Sequence, residues 1–159
     1  MHVIVATDGS PQSLAAARHL RSFADPAKIA TISVVAVIRP LASVAFADEI
    51  SEAEQHAVGE GTGSFLKAAQ RAVDAVAAVF DDWGPTVDKQ IRSGSPAAEI
   101  IKAAKEHDAG LVVVAAGGRG ISDAILPGST AQRVQHYAPC PVLVVRPAPR
   151  ARKTAQRET

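Results

Sequence analysis

Apolar residues along this chain follow two periods. Short β-branched runs at Val3 to Ala6, Ile32 to Ile38, Leu111 to Ala116 and Val142 to Val145 carry almost no polar residues. Such runs predict strands buried on both faces. Elsewhere apolar residues return at three- and four-residue steps, the spacing of an amphipathic helix: Leu14, Ala17 and Leu20; Phe65, Ala69, Ala72, Val76 and Val79; Ile100, Ile101 and Ala104. Val87 and Ile91 alternate with Asp88 and Lys89, which predicts a weaker strand with one wet face, suited to a sheet edge.

Punctuation between these runs is chemically specific. Ser10-Pro11 and Ser95-Pro96 each supply an N-cap oxygen followed by a proline where the first helical N–H would go unused. Asp25-Pro26, Gly84-Pro85, the region of Gly110, and Pro139 end the helical patterns, the last closing a helix over Ser129 to Tyr137. Residues 39–64 show no clear period, hold Asp48, Glu49, Glu52 and Glu54 and then Gly59, Gly61 and Gly63, and read as an irregular excursion able to act as a lid. The resulting order, βαβαβαβαβ, predicts one doubly wound α/β domain, a parallel sheet with helices on both faces. Ligands of such sheets collect at the carboxyl ends of strands whose connections leave to opposite faces, so the loops after the first and fourth strands are the candidate site.

Composition narrows the picture. At 159 residues, 47% hydrophobic and 21% charged, the chain has room for one domain with a packed core. Its apolar runs fall far short of the roughly 20 residues a membrane-spanning helix needs, so no membrane association is expected. Residues 146–159 hold five basic groups against Glu158, leaving residues 1–145 with twelve basic and fifteen acidic groups. We therefore expect a mildly acidic domain over 1–147 and a basic, flexible tail over 148–159. With six aromatic residues and no concentrated basic face, nucleic acid is not an expected partner. A single cysteine, Cys140, and no signal-like segment make a cytoplasmic location the expectation, with Cys140 a small buried thiol between two prolines.

The loop after the fourth strand carries the clearest chemistry. It reads Ala115-Ala116-Gly117-Gly118-Arg119-Gly120, then Ile121 to Pro127, then Gly128-Ser129-Thr130. Glycines let backbone N–H groups approach a ligand with no Cβ in the way, and the N–H groups opening the next helix favour an anion. Ser129 and Thr130 add hydroxyl donors and Arg119 a fixed positive charge, a set suited to phosphate. Its length also exceeds the two to six residues usual between a strand and a helix. Asp8, after the first strand, suits either a turn-closing acceptor or a ligand contact. By contrast, Gly61-Thr62-Gly63-Ser64 lacks the Gly-Lys-Ser/Thr ending of a phosphate loop. His2, His19, His56, His107 and His136 show no metal-ligand spacing, and His107 is placed to meet a helix dipole. Ser10 and Ser13 lack the Gly-x-Ser-x-Gly setting of a hydrolase nucleophile, and no catalytic residue is assigned.

Five segments together resemble the universal stress proteins over residues 1 to about 147: Val3 to Ser10, the Gly94-Ser95-Pro96-Ala97 helix start, the Leu111 to Val114 strand, the glycine loop, and Cys140 to Val145. The resemblance implies a five-stranded parallel sheet in the order 3-2-1-4-5, which sets Asp8 beside the glycine loop. It also implies an adenine nucleotide, ATP or else AMP or cyclic AMP, with Asp8 and the backbone near Val37 bordering adenine and ribose. Gly118, Arg119, Gly128, Ser129 and Thr130 would then meet phosphates; Gly120 is assigned to the same binding loop, the alternative being a role in the turn alone. The nucleotide-binding pattern of that family is Gly, two residues, Gly, nine residues, Gly, then Ser or Thr. Gly117 and Gly120 fit its first spacing but leave seven residues before Gly128. Gly118 and Gly128 enclose nine and put Ala115 in the first glycine's place, and this register is preferred. It predicts that the Ala115 Cβ opposes a positive φ or crowds a ligand, while Pro127 removes one N–H.

The leading expectation is an adenine-nucleotide-binding stress-response regulator without a dedicated chemical step, Mg2+ accompanying a triphosphate through its phosphates and the Ser129 hydroxyl. The alternatives are a non-binding member acting through protein contacts and, third, a weak ATPase. Dimerisation is expected through Val142 to Val145, an apolar strand that the resemblance puts at a sheet edge.

Overall fold

The computed structural model describes residues 1–40, 52–117 and 128–147, with side chains omitted for 52–62. Ten elements follow in order: β1 (His2–Thr7), α1 (Pro11–Phe23), a 3-10 turn (Pro26–Lys28), β2 (Thr31–Ile38), α2 (Glu52–Ala78), β3 (Thr86–Ser93), α3 (Pro96–Glu106), β4 (Leu111–Ala115), α4 (Ser129–Tyr137) and β5 (Val142–Val145). The strands form one parallel sheet in the order β3-β2-β1-β4-β5, as the resemblance implied.

Why the central strands read as unbroken apolar runs is visible in their packing. Val3 and Val5 of β1 and Val113 of β4 pack with Leu20 of α1 and Val73, Val76 and Phe80 on one face. Their neighbours Ile4, Val112 and Val114 pack with Ile100, Ala103 and Val134 of α3 and α4 on the other. Successive side chains point to opposite faces, so a strand covered on both sides needs apolar residues at every position. Truncating Ile4, fully buried, to alanine would cost roughly 2–5 kcal/mol. The wet strand expected at Val87 and Ile91 is β3, at the sheet border, with Asp88 and Lys89 exposed.

Helix boundaries follow the local chemistry, with differences. Ser10 caps α1, its Oγ accepting from the Ser13 N–H at 3.2 Å. Ser95 occupies the same place before α3 but makes no side-chain cap bond. The larger difference is α2, which runs from Glu52, so the stretch 52–64 read as irregular is helical and takes in Gly59, Gly61 and Gly63. Residues 41–51, the rest of that excursion, lie outside the described residues. Among the described side chains of α2, Ala69 is the first to pack against the core, and Phe65, expected on the buried stripe, is 51% exposed. Among the described residues no helix is long and apolar enough to cross a membrane. Cys140 is half-buried rather than fully buried, and that burial pushes its thiol pKa up.

At the amino end of the sheet a polar cluster spans three strands. His2 Nε2 lies 2.8 Å from the Ser33 Oγ, which donates to Asp88 at 3.3 Å. The His2 ring stacks on His107, centroids 4.6 Å apart, and Gln90 meets His107 Nε2 at 2.8 Å. His107 does cap the carboxyl end of α3, and its ring is also held by these two partners. Burial, then His107, lowers the His2 pKa.

Candidate nucleotide site

The sheet splits where its chain connections diverge. β1 pairs with β2 as far as Thr7 and Ala36, and β4 with β5 as far as Ala115 and Val145, but β1 and β4 pair only to Val5 and Val113. From β1 the chain leaves into α1, on one face of the sheet, while α4, which follows the loop after β4, packs on the other. Strands that part in this way open a crevice at their carboxyl ends. A cleft of about 390 Å³ lies there, within the range of small-ligand pockets.

Each wall has its own chemistry. β1 contributes Ala6, Thr7 and Asp8; β2 and the residue after it contribute Val35, Val37 and Arg39; β4 and its exit contribute Val114, Ala115 and Gly117. Gly128, Ser129, Thr130 and Ala131 close the far side, with Pro96 and Ile100 of α3 and Ser13 of α1 completing the lining. The apolar groups suit the flat face of a base, and the hydroxyls and amides suit the polar remainder of a ligand.

Beneath Asp8 the turn is locked by hydroxyls. Ser13 Oγ donates to the Ser10 carbonyl at 2.9 Å, which uses its single proton. The Thr7 hydroxyl, 2.9 Å from Ser13 Oγ, therefore donates to Ser13, while Thr7 Oγ1 accepts from the Gly9 N–H at 3.1 Å. Asp8 Oδ1 accepts from the Ser10 N–H at 2.9 Å, the turn-closing role its sequence position allowed. Gly9, at φ +78°, makes the reversal that lets these bonds form.

Across the cleft, α4 begins without a capping side chain, because its N-cap is Gly128. Its first-turn amides keep the partial positive charge that draws an anion to a helix start. On β4 the expected conflict at Ala115 does not take the form of a positive φ. Ala115 is an ordinary strand residue paired with Val145, and the left-handed step falls at Gly117, φ +82°. Among the described residues, a Cβ built on Gly117 would meet nothing within 4 Å, and what the position asks of glycine there is its backbone conformation.

Of the residues assigned from sequence, Asp8, Val37, Ala115, Gly128, Ser129 and Thr130 come together around the cleft, while Gly118, Arg119 and Gly120 lie outside the described residues. Sequence reasoning missed Arg39, Ser13 and Ile100 among the lining residues, and Gly117 belonged to the glycine register that was set aside. For Arg39 a signal existed: it follows the carboxyl end of the strand next to β1, where ligands of such sheets gather.

A sequence model of the Universal stress protein family matches residues 1–146. The chain belongs to that family. Among relatives, it is 32% identical over 146 residues to Universal stress protein MJ0531 of Methanocaldococcus jannaschii, covering 91% of this chain and 81% of that one. Its fold is similar to a universal stress protein crystallised in complex with cAMP (TM-score 0.61, 22% identity, 92% of this chain and 96% of that one). It is similar also to a universal stress protein family protein from Arabidopsis thaliana with AMP bound (TM-score 0.64, 16% identity, 92% and 91%). At these identities the structural likeness is one of fold, and this universal stress protein's own cleft must supply the argument for its ligand.

Proposed function

We propose that this universal stress protein binds an adenine nucleotide, ATP, AMP or cyclic AMP, between β1 and β4, and acts as a stress-response regulator in the cytoplasm without a dedicated chemical step. The observation that carries the reading is the parting of β1 and β4 beside the uncapped start of α4. Asp8 accepts from the ribose hydroxyls, the Val37 backbone borders adenine, and the Gly128, Ser129 and Thr130 amides and hydroxyls hold phosphate. Gly118, Arg119 and Gly120 join them on sequence grounds. Nucleotide complexes of the two structural neighbours support the ligand class. With ATP, Mg2+ would be held by the phosphates and the Ser129 hydroxyl.

A second copy of the chain is the proposed protein partner. β5 ends the sheet, and its Pro141 and Val145 carbonyls accept from β4 at 3.0 and 2.8 Å, so by strand alternation Val142 and Val144 turn their backbone groups outward. An exposed row of this kind pairs readily with its own copy.

Calorimetric titration with ATP, AMP and cyclic AMP tests the ligand. Saturable heat from at least one, lost in Asp8→Ala, is expected. No heat from any of the three at millimolar ligand would leave the alternative, a member acting through protein contacts, in which the Ala115 methyl on the cleft wall excludes the nucleotide.

A further inference from the structure

We propose that Arg39 makes the cleft select the phosphorylated form of its nucleoside ligand, an inference that rests on the nucleotide reading above. Arg39 lines the cleft just past β2, two residues beyond Val37, and is itself exposed. β2 and β4 flank β1, so Arg39 and the α4 start stand on opposite sides of Asp8. With strands about 4.8 Å apart, β2 and β4 lie about 10 Å apart across β1, a gap that a nucleotide spans and a long arginine side chain reduces.

The charges explain why the residue matters. Among the described lining residues Asp8 is the acid and Arg39 the base. Among the described residues, the Asp8 carboxylate alone would repel a phosphate entering beside it, and the helix start opposite supplies only a partial charge. Arg39 offsets that repulsion and offers donors alone, in a fork matched to phosphate oxygens. Arg92, at the end of β3, is by contrast committed to Glu99 and Glu106, at 2.9 Å each. Nothing in the family pattern of glycines, serine and threonine assigns this position.

Adenosine and AMP differ only in the phosphate, so their affinity ratio reads the contribution directly. In Arg39→Gln we expect AMP to bind roughly tenfold more weakly or worse, with adenosine changed less than about twofold. Arg39→Lys should recover part of the loss, and raising salt should shrink the AMP preference more in the wild type than in Arg39→Gln. A ratio unchanged in Arg39→Gln, or an equal loss for both ligands, overturns this inference while leaving nucleotide binding in place. Absence of wild-type binding to both AMP and adenosine overturns this inference, and absence of binding to ATP and cyclic AMP as well overturns the nucleotide reading. Arg39 is exposed, so an unchanged thermal midpoint in both variants is the expected control.

Discussion

The Thr7 hydroxyl donates to the Ser13 Oγ at 2.9 Å, tying the carboxyl end of β1 to the first turn of α1 directly beneath Asp8. Both residues are buried, at 6% and 3% exposure, so the pair is largely withdrawn from bulk solvent. Ser13→Ala removes the acceptor and leaves the Thr7 proton without its partner. A loss of about 1–3 kcal/mol is expected, read from the urea midpoint, and the loosened turn should weaken nucleotide binding as well.

Two glycines with left-handed backbones separate conformation from space. Gly117→Ala meets no atom of the described residues within 4 Å, so it should cost about 1 kcal/mol, the price of the φ alone. Gly94, at φ +146°, has Glu99 Cγ 3.0 Å from where a Cβ would sit. Gly94→Ala must also push Glu99 away from Arg92, and we expect a loss of about 2 kcal/mol or more. Equal midpoints for the two variants would contradict this assignment.

The histidine pair predicts an acid-sensitive stability. The His2 pKa lies below its ordinary 6.5, first through burial, then through His107 and the amino terminus, with Asp88 opposing them. The unfolded chain therefore takes up a proton before the folded one does. Stability is full above about pH 6.5 and declines as pH falls from there to the folded value. Between about pH 7.5 and 5.5, the urea midpoint of the wild type should drop further than that of His2→Gln. The carboxylates act lower: Arg92 holds Glu106 below its ordinary 4.5, so its contribution is lost only in stronger acid.

How much of this was legible in the sequence depended on whether a signal was local. Val3 to Ala6 and Leu111 to Ala116 announced buried strands because both faces of each are covered, and Ser10-Pro11 announced a helix whose cap is made by that serine. The start of α2 was missed because Gly59, Gly61 and Gly63 each cost about 1 kcal/mol in a helix, a local penalty that the observed helix nonetheless bears. Asp8 was legible as a turn residue and Ser129 and Thr130 as hydroxyls opening a helix, while their grouping with Gly128 around one cleft came from the family resemblance. Arg39 was missed because its place on the cleft follows from the strand order, which no local pattern states. The stacking of His2 on His107 joins the two ends of a long stretch of chain and was equally invisible to spacing.

The outer edge of β5, unpaired among the described residues, makes a directional prediction about assembly. Val144→Pro removes an outward N–H while leaving the Pro141 and Val145 carbonyls, which face β4, in place. Sedimentation at micromolar concentration should show a dimer for the wild type and a monomer for this variant, with the fold retained. A wild type that is monomeric, or a variant that remains dimeric, would place assembly elsewhere or remove it.

The central claim is that the parted ends of β1 and β4 receive the nucleotide, and amide chemical shifts followed during titration of the 15N-labelled protein with AMP test it most directly. We predict saturable shifts concentrated at Thr7 to Ser10, Val37, Gly117 and Gly128 to Ala131. Shifts gathered instead at the shallow groove of Ile101, Lys102, Lys105, Arg133 and Tyr137, or none at saturating AMP, would contradict it.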